Sequence, residues 1–313
     1  MTLADTKTRC PGLYCGRQFT GSINGSIAWN EVPCGACPRG YRVNIMSEYS
    51  QCMACENNPS TYDWLYLGFM SMLPLILHWF FIDLAAKERC FTKGEIIVHL
   101  SAFFEVLISA TITLLIYEPY WSLQIHSCTV NRLSDWYTLF HNPTPNYEKK
   151  LYCTQEAVYP LQTMVLVFYL LCIVLMMLVR PTLNAYFLKK GKMAVYSALY
   201  FIPILALFHT IIGGLIYYAF PYLSIIISMI SNAAHFSMKL DQSMKSLFLT
   251  SITETKNCII IVGHWLILAY GIMSLTASNV ILLVMVPLPA LFYIFTVKFT
   301  DPSGYRDRDD RNH

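Results

Sequence analysis

The chain has 313 residues, 55% of them hydrophobic and 13% charged, with a net charge of +3. A soluble domain carries about 25% charged residues, so an ordinary cytosolic enzyme is excluded, and so is a disordered chain, which would be polar and poor in aromatics. A charge of +3 is too small to argue for nucleic acid.

Residues 1–61 read as a small cysteine-rich domain. Cys10, Cys15, Cys34, Cys37, Cys52 and Cys55 fall here, the last four as CxxC-x14-CxxC. Paired CxxC steps suit a four-thiolate zinc site, and in an oxidising compartment the same thiols pair as disulfides; the topology argued below favours disulfides and no metal. Asn24-Gly25-Ser26 is a glycosylation sequon. No apolar signal-peptide core occurs in this stretch, so targeting is expected from the first span.

A bilayer-crossing helix needs about 20 mostly apolar residues. Seven segments qualify, at about 64–84, 95–117, 158–180, 194–219, 221–238, 258–277 and 279–298, within a transmembrane domain over 62–299. The fourth and fifth are separated at Phe220-Pro221, because proline lacks the helix donor. The expected fold class is an all-α polytopic membrane protein, seven helices with a small N-terminal disulfide module.

Loop 118–157 carries Cys128 and Cys153, which would close a loop if they paired with each other. Residues 130–141 read either as an amphipathic helix on the membrane surface, with Leu133, Trp136, Tyr137 and Phe140 on one face, or as a segment capping the bundle.

Ionisable groups inside spans are costly and are functional candidates by default. They are His78 in the first span, Glu105 in the second, His209 in the fourth and His264 in the sixth. Either they form interhelical polar contacts, or they converge as a metal-dependent enzyme or a solute or proton pathway. No HExxH or other catalytic motif occurs, so no catalytic residue, cofactor or metal is assigned. The run Lys189-Lys190-Gly191-Lys192-Met193-Ala194-Val195 fits the basic-then-hydrophobic pattern of kinase docking sites and is read in preference as a basic flank leading into the fourth span, and residues 300–313 are read as a tail.

Lysine and arginine distribution orients the chain. The 1/2, 3/4 and 5/6 loops and the tail hold 14 of the 22 cations, Arg180 among them. The N-terminus is therefore expected in the lumen and the C-terminus in the cytosol. On that topology all eight cysteines named above are lumenal, while Cys90, Cys172 and Cys258 are not.

Several strings carry a family resemblance: CPGLYCG (10–16), CGACPRG (34–40), YDWLYLGFM (62–70), LHWFF (77–81), LSDWYTLFHNPTPNY (133–147), EAVYPL (156–161), LMMLVRP (175–181), ALYFIPIL (198–205), GGLIYYAFPY (213–222), HWLILAYGI (264–272) and PALFYIFTVKFT (289–300). Over about residues 10–302 the chain resembles the c-Jun N-terminal kinase-associated membrane protein family, JAMP. The resemblance implies a seven-span protein of the endoplasmic reticulum membrane. It implies a non-enzymatic adaptor that gathers proteasome subunits and a membrane ubiquitin ligase to degrade misfolded proteins, linked to c-Jun N-terminal kinase signalling. Membrane lipids are the remaining expected partner.

Overall fold

The fold comes from a computed structural model, which describes residues 9–18, 32–44, 46–86, 92–141, 153–187, 191–239, 241–276 and 279–300. Asn24, Cys90, Lys189, Lys190 and residues 301–313 of the tail lie outside them. The chain divides into two units, one made of residues 1–88 and 92–217, the other of 89–91 and 218–313.

The first unit begins with a head of short antiparallel pairs, β1 (Cys15–Gly16) with β2 (Gly35–Ala36) and β3 (Tyr41–Val43) with β4 (Cys52–Ala54). So little sheet buries almost no core, and covalent links replace it. Four disulfides form: Cys10–Cys34, Cys37–Cys52, Cys15–Cys153 and Cys55–Cys128. Cys128 and Cys153 therefore do not pair with each other. Each ties loop 118–157 to the N-terminal segment, so the two pieces expected to be separate form one head. Asp135 reinforces the join. Its buried carboxylate accepts from the backbone N–H of Asn131 and Arg132 and from the Tyr14 hydroxyl, and it pairs with Arg42 at 2.8 Å. Burial raises the pKa of the Tyr14 phenol above its ordinary value, which keeps it a donor.

Helices α1 (Thr61–Ala86), α2 (Lys93–Ile116) and α3 (Leu161–Phe187) follow. Ser60 and Asp63 exchange side-chain and backbone hydrogen bonds at the start of α1, and Thr92 and Glu95 form a capping box on α2. These caps satisfy donors that a helix start leaves unpaired. α3 starts three residues later than the expected span and runs seven beyond it, because Arg180 does not end the helix. Residues 130–141 are two short 3-10 turns, Leu133–Trp136 and Thr138–His141, in place of an amphipathic α-helix. Trp136 turns inward and is buried, while Phe140 stays exposed, which is the capping arrangement.

α4 (Gly191–Ser237) is 47 residues of helix in which two helices meet at a kink. It holds about twice the ~20 residues that one bilayer crossing needs. Among the described residues six helical segments are long and apolar enough to cross a membrane, and α4 has the length of the fourth and fifth expected spans together. The expected turn at Phe220-Pro221 is absent. The departure from helical dihedrals is at Ile212 (φ −119°, ψ 19°), just before Gly213-Gly214, where weak helix propensity lowers its cost. A Cβ on Gly214 would lie 2.7 Å from Trp136 Cβ, so only glycine admits the capping tryptophan.

Pro221 stays helical because another residue replaces its missing donor. The carbonyl four residues back, on Tyr217, accepts from the Tyr62 hydroxyl at 2.8 Å. α1 repeats the device. Pro74 leaves the Met70 carbonyl without a helical partner, and the Tyr169 hydroxyl donates to it at 3.3 Å. In lipid such a carbonyl has no water to turn to, so a neighbouring hydroxyl is the remaining solution.

In the second unit, the expected 5/6 loop contains α5 (Met244–Thr253), capped by Ser243. α6 spans Thr255–Leu275. The seventh expected span begins as a 3-10 helix, Val280–Met285, and becomes α7 (Leu288–Thr300) only after Pro287. Phe236, Leu247, Ile261, Ala290, Ile294 and Val297 form the core of this unit.

Two outcomes test these points. Tyr62→Phe should lower stability by about 0.5–1.5 kcal/mol. The loss should shrink in a Pro221→Ala background, where the helical donor returns; equal losses in both backgrounds, by thermal unfolding in detergent, would refute the compensation. Cys15→Ala should leave a new thiol at Cys153 alone among the head cysteines, mapped by maleimide labelling, and should cost about 5 kcal/mol by the chain-entropy estimate for a 138-residue separation.

Candidate functional site

The polar groups of the first unit meet at Arg180. Its side chain is fully buried, 0% exposed, at the point where α1, α2 and α3 come together. Glu105 reaches it from α2 and His78 from α1. The guanidinium forks onto the carboxylate: Nε donates to Glu105 Oε1 at 3.4 Å and Nη2 donates to Oε2. Its third nitrogen, Nη1, donates to His78 Nδ1 at 2.6 Å. Ser101, one turn before Glu105, donates to Oε1 at 2.6 Å.

This geometry assigns chemical states. Arginine is always charged and has no acceptor, so His78 Nδ1 must present its lone pair and carry its proton on Nε2. That Nε2 is buried and without a hydrogen-bond partner. The His78 ring meets Phe201 edge-on, with centroids 5.0 Å apart. The guanidinium occupies both groups that a metal or a proton relay would use, the carboxylate and the imidazole lone pair. A groove of about 370 Å³ lies against the pair, lined by Leu100, Phe104, Ile108, Leu175 and Val179 with Ser101 and Glu105 among its walls. Its walls are almost wholly apolar.

His209 is satisfied elsewhere. Its Nε2 donates to the Gln162 carbonyl at 3.0 Å, so Nδ1 accepts from the Tyr66 hydroxyl at 3.1 Å. Trp136 packs edge-on against its ring. It shares no partner with His78 or Glu105. His264 belongs to the second unit, where its ring lies 6.3 Å from that of His235. Among the described residues no group of three or more His, Cys, Asp or Glu side chains is placed to hold a metal ion.

Sequence reasoning missed the residue that organises this site. The cation distribution assigns Arg180 to the 3/4 loop, whereas the structure places it inside α3. The signal was present: residues 181–188 carry no charge, so the apolar run continues past the arginine. Removing Arg180 from the positive-inside count leaves the bias in the same direction. Asp63 was also missed. It is buried, and the Tyr217 hydroxyl donates to it at 2.6 Å.

Of the eight head cysteines, none is free. The free cysteines among the described residues are Cys172, buried, and Cys258, exposed.

The comparisons with known proteins agree along the whole chain. A family model described as JNK1/MAPK8-associated membrane protein matches residues 10–302. The mouse JNK1/MAPK8-associated membrane protein is 44% identical over 323 residues, and the human one 43%, each alignment covering 99% of both chains. A Caenorhabditis elegans homolog is 33% identical over 309 residues, covering 93% of both. No solved structure shows a significant match.

The ion pair predicts an asymmetry. Arg180→Met alone strands a buried carboxylate and should cost about 3–5 kcal/mol, whereas the Glu105→Met, Arg180→Met double variant should recover most of that loss. Thermal unfolding of the four members of this cycle reads the coupling. Additive losses would show that the pair does not hold the helices.

Proposed function

We propose a function on the premise that this chain belongs to the JNK1/MAPK8-associated membrane protein family. The protein is a non-enzymatic adaptor of the endoplasmic reticulum membrane, with its disulfide-bonded head in the lumen and its C-terminus in the cytosol. It brings proteasome subunits and a membrane ubiquitin ligase to misfolded proteins, and it associates with the kinase JNK1/MAPK8, as the names of its mouse and human relatives say of them.

The full-length family match carries the reading. The structure supports it in two ways. Every head cysteine is oxidised, as a lumenal compartment favours. Arg180, Glu105 and His78 are engaged with one another, which suits a scaffold more than a catalyst. The work of such a protein is tethering: holding a soluble machine beside a membrane-bound client raises its effective concentration, into the millimolar range for short flexible links.

On this reading the segments between α1 and α2, between α3 and α4, and around α5, together with the tail, face the cytosolic partners. Proximity biotinylation from a C-terminal tag should label proteasome and ligase subunits and the kinase. Labelling should rise when misfolded membrane protein is overproduced. A labelled set without any of these, both at rest and under that load, would remove the adaptor role. The orientation has its own readout: Asn24 should carry an endoglycosidase-sensitive glycan that Asn24→Gln abolishes.

A further inference from the structure

The second unit contains a polar seam that the adaptor role does not use. Ser228, Asn232 and His235 recur at steps of four and three along α4, which places them on one face. Ser228 Oγ donates to the His264 carbonyl of α6 at 2.7 Å, fixing the two helices together at this level. The rings of His235 and His264 then lie 6.3 Å apart at an interplanar angle of 62°.

Three atoms of this seam are shut away from solvent and have no hydrogen-bond partner: Asn232 Oδ1, His235 Nε2 and His264 Nδ1. Asn232 is only 3% exposed. Orphaned polar atoms are rare in native structures and costly within a bilayer-spanning unit. All three atoms share one chemistry, since each can offer a lone pair.

We propose that His235, His264 and Asn232 bind a divalent transition-metal ion, with zinc the best fit. Imidazole nitrogens sit about 2.0–2.1 Å from zinc, which puts two ligating ring centres about 5–6 Å apart; the observed centroids are 6.3 Å apart, just beyond that range. His235 would coordinate through Nε2 with its proton on Nδ1, and His264 through Nδ1 with its proton on Nε2. The amide oxygen of Asn232, one turn before His235, supplies the third ligand. A fourth position stays open to water, which suits the tetrahedral preference of zinc. Two histidines and an amide from two different helices form no recognisable sequence motif.

The nearby charges do not close the site. Lys239, one turn beyond His235, donates to the Asn257 side chain and lies 3.8 Å from Glu254, so its ammonium is engaged with those residues. The ion would clamp α4 to α6 where the Ser228 bond already joins them.

The test uses the full-length chain in detergent, stripped with a chelator and with its free thiols capped so that Cys90, Cys172 and Cys258 cannot compete. Zinc and cobalt are added separately. About one ion should bind per chain by elemental analysis, and cobalt should show a visible absorption band. His235→Gln and His264→Gln should each weaken binding at least about tenfold, the scale already seen when only a ligand's supporting partner is lost, while His141→Gln, an exposed histidine, should not. If the two site variants fail to fold, the wild-type chain still decides: zinc should raise its unfolding temperature. Substoichiometric binding with no such rise, or equal binding by both folded variants, would overturn the site and leave a seam filled by water alone.

Discussion

A guanidinium buried in a membrane-spanning helix has no water to hydrate it, and Arg180 takes Glu105 and His78 as its solvation shell. The pairing fixes how far α3 can slide along α2, because a shift of one turn would strand a charge in lipid. It fixes α1 through the same side chain. Whether such a pair adds net stability over an apolar contact is a separate matter, since desolvation offsets much of the attraction. Its clearer contribution is register.

The same constraint explains smaller features. Every polar group placed in the hydrocarbon layer needs an internal partner. Ser109 and Thr113 on α2 and Thr210 and Ser224 on α4 each return their hydroxyl to the carbonyl four residues back. Tyr62 and Tyr169 answer the carbonyls that prolines leave bare. His209 is satisfied at both nitrogens. Asn232, His235 and His264 depart from this pattern together, as do single atoms elsewhere such as His78 Nε2 and Asn184 Oδ1.

Composition and apolar run length located the membrane-crossing segments, though not every helix boundary, because the bilayer imposes a length that a single sequence displays. The disulfide-bearing residues were legible for a related reason: compartment follows topology, and topology follows the cations. The errors fell where a distant side chain decides a local outcome. Pro221 reads as a break until the Tyr62 hydroxyl arrives from another helix. Arg180 reads as a flank until Glu105 and His78 are seen to receive it. Trp136 reads equally as a surface or a capping residue, and only the space above Gly214 resolves it. α5 was invisible because residues 239–257 are short and mixed in polarity, and its Leu247 finds its apolar neighbours on α4, α6 and α7. The pairing of eight cysteines has no local signature at all.

The disulfide connectivity also imposes an order of events on synthesis. Cys10–Cys34 and Cys37–Cys52 close within the first 55 residues, but Cys55 must wait for Cys128 and Cys15 for Cys153. At about 5–20 residues per second, Cys15 remains without its native partner for roughly 7–28 s, while its neighbours Cys10, Cys34, Cys37 and Cys52 are already within reach. On the proposed topology, the first two helices must enter the bilayer, one in each direction, before the second pair of bonds can form. The head is thus completed from both sides of a helical hairpin, and its oxidation state records whether that hairpin was inserted correctly.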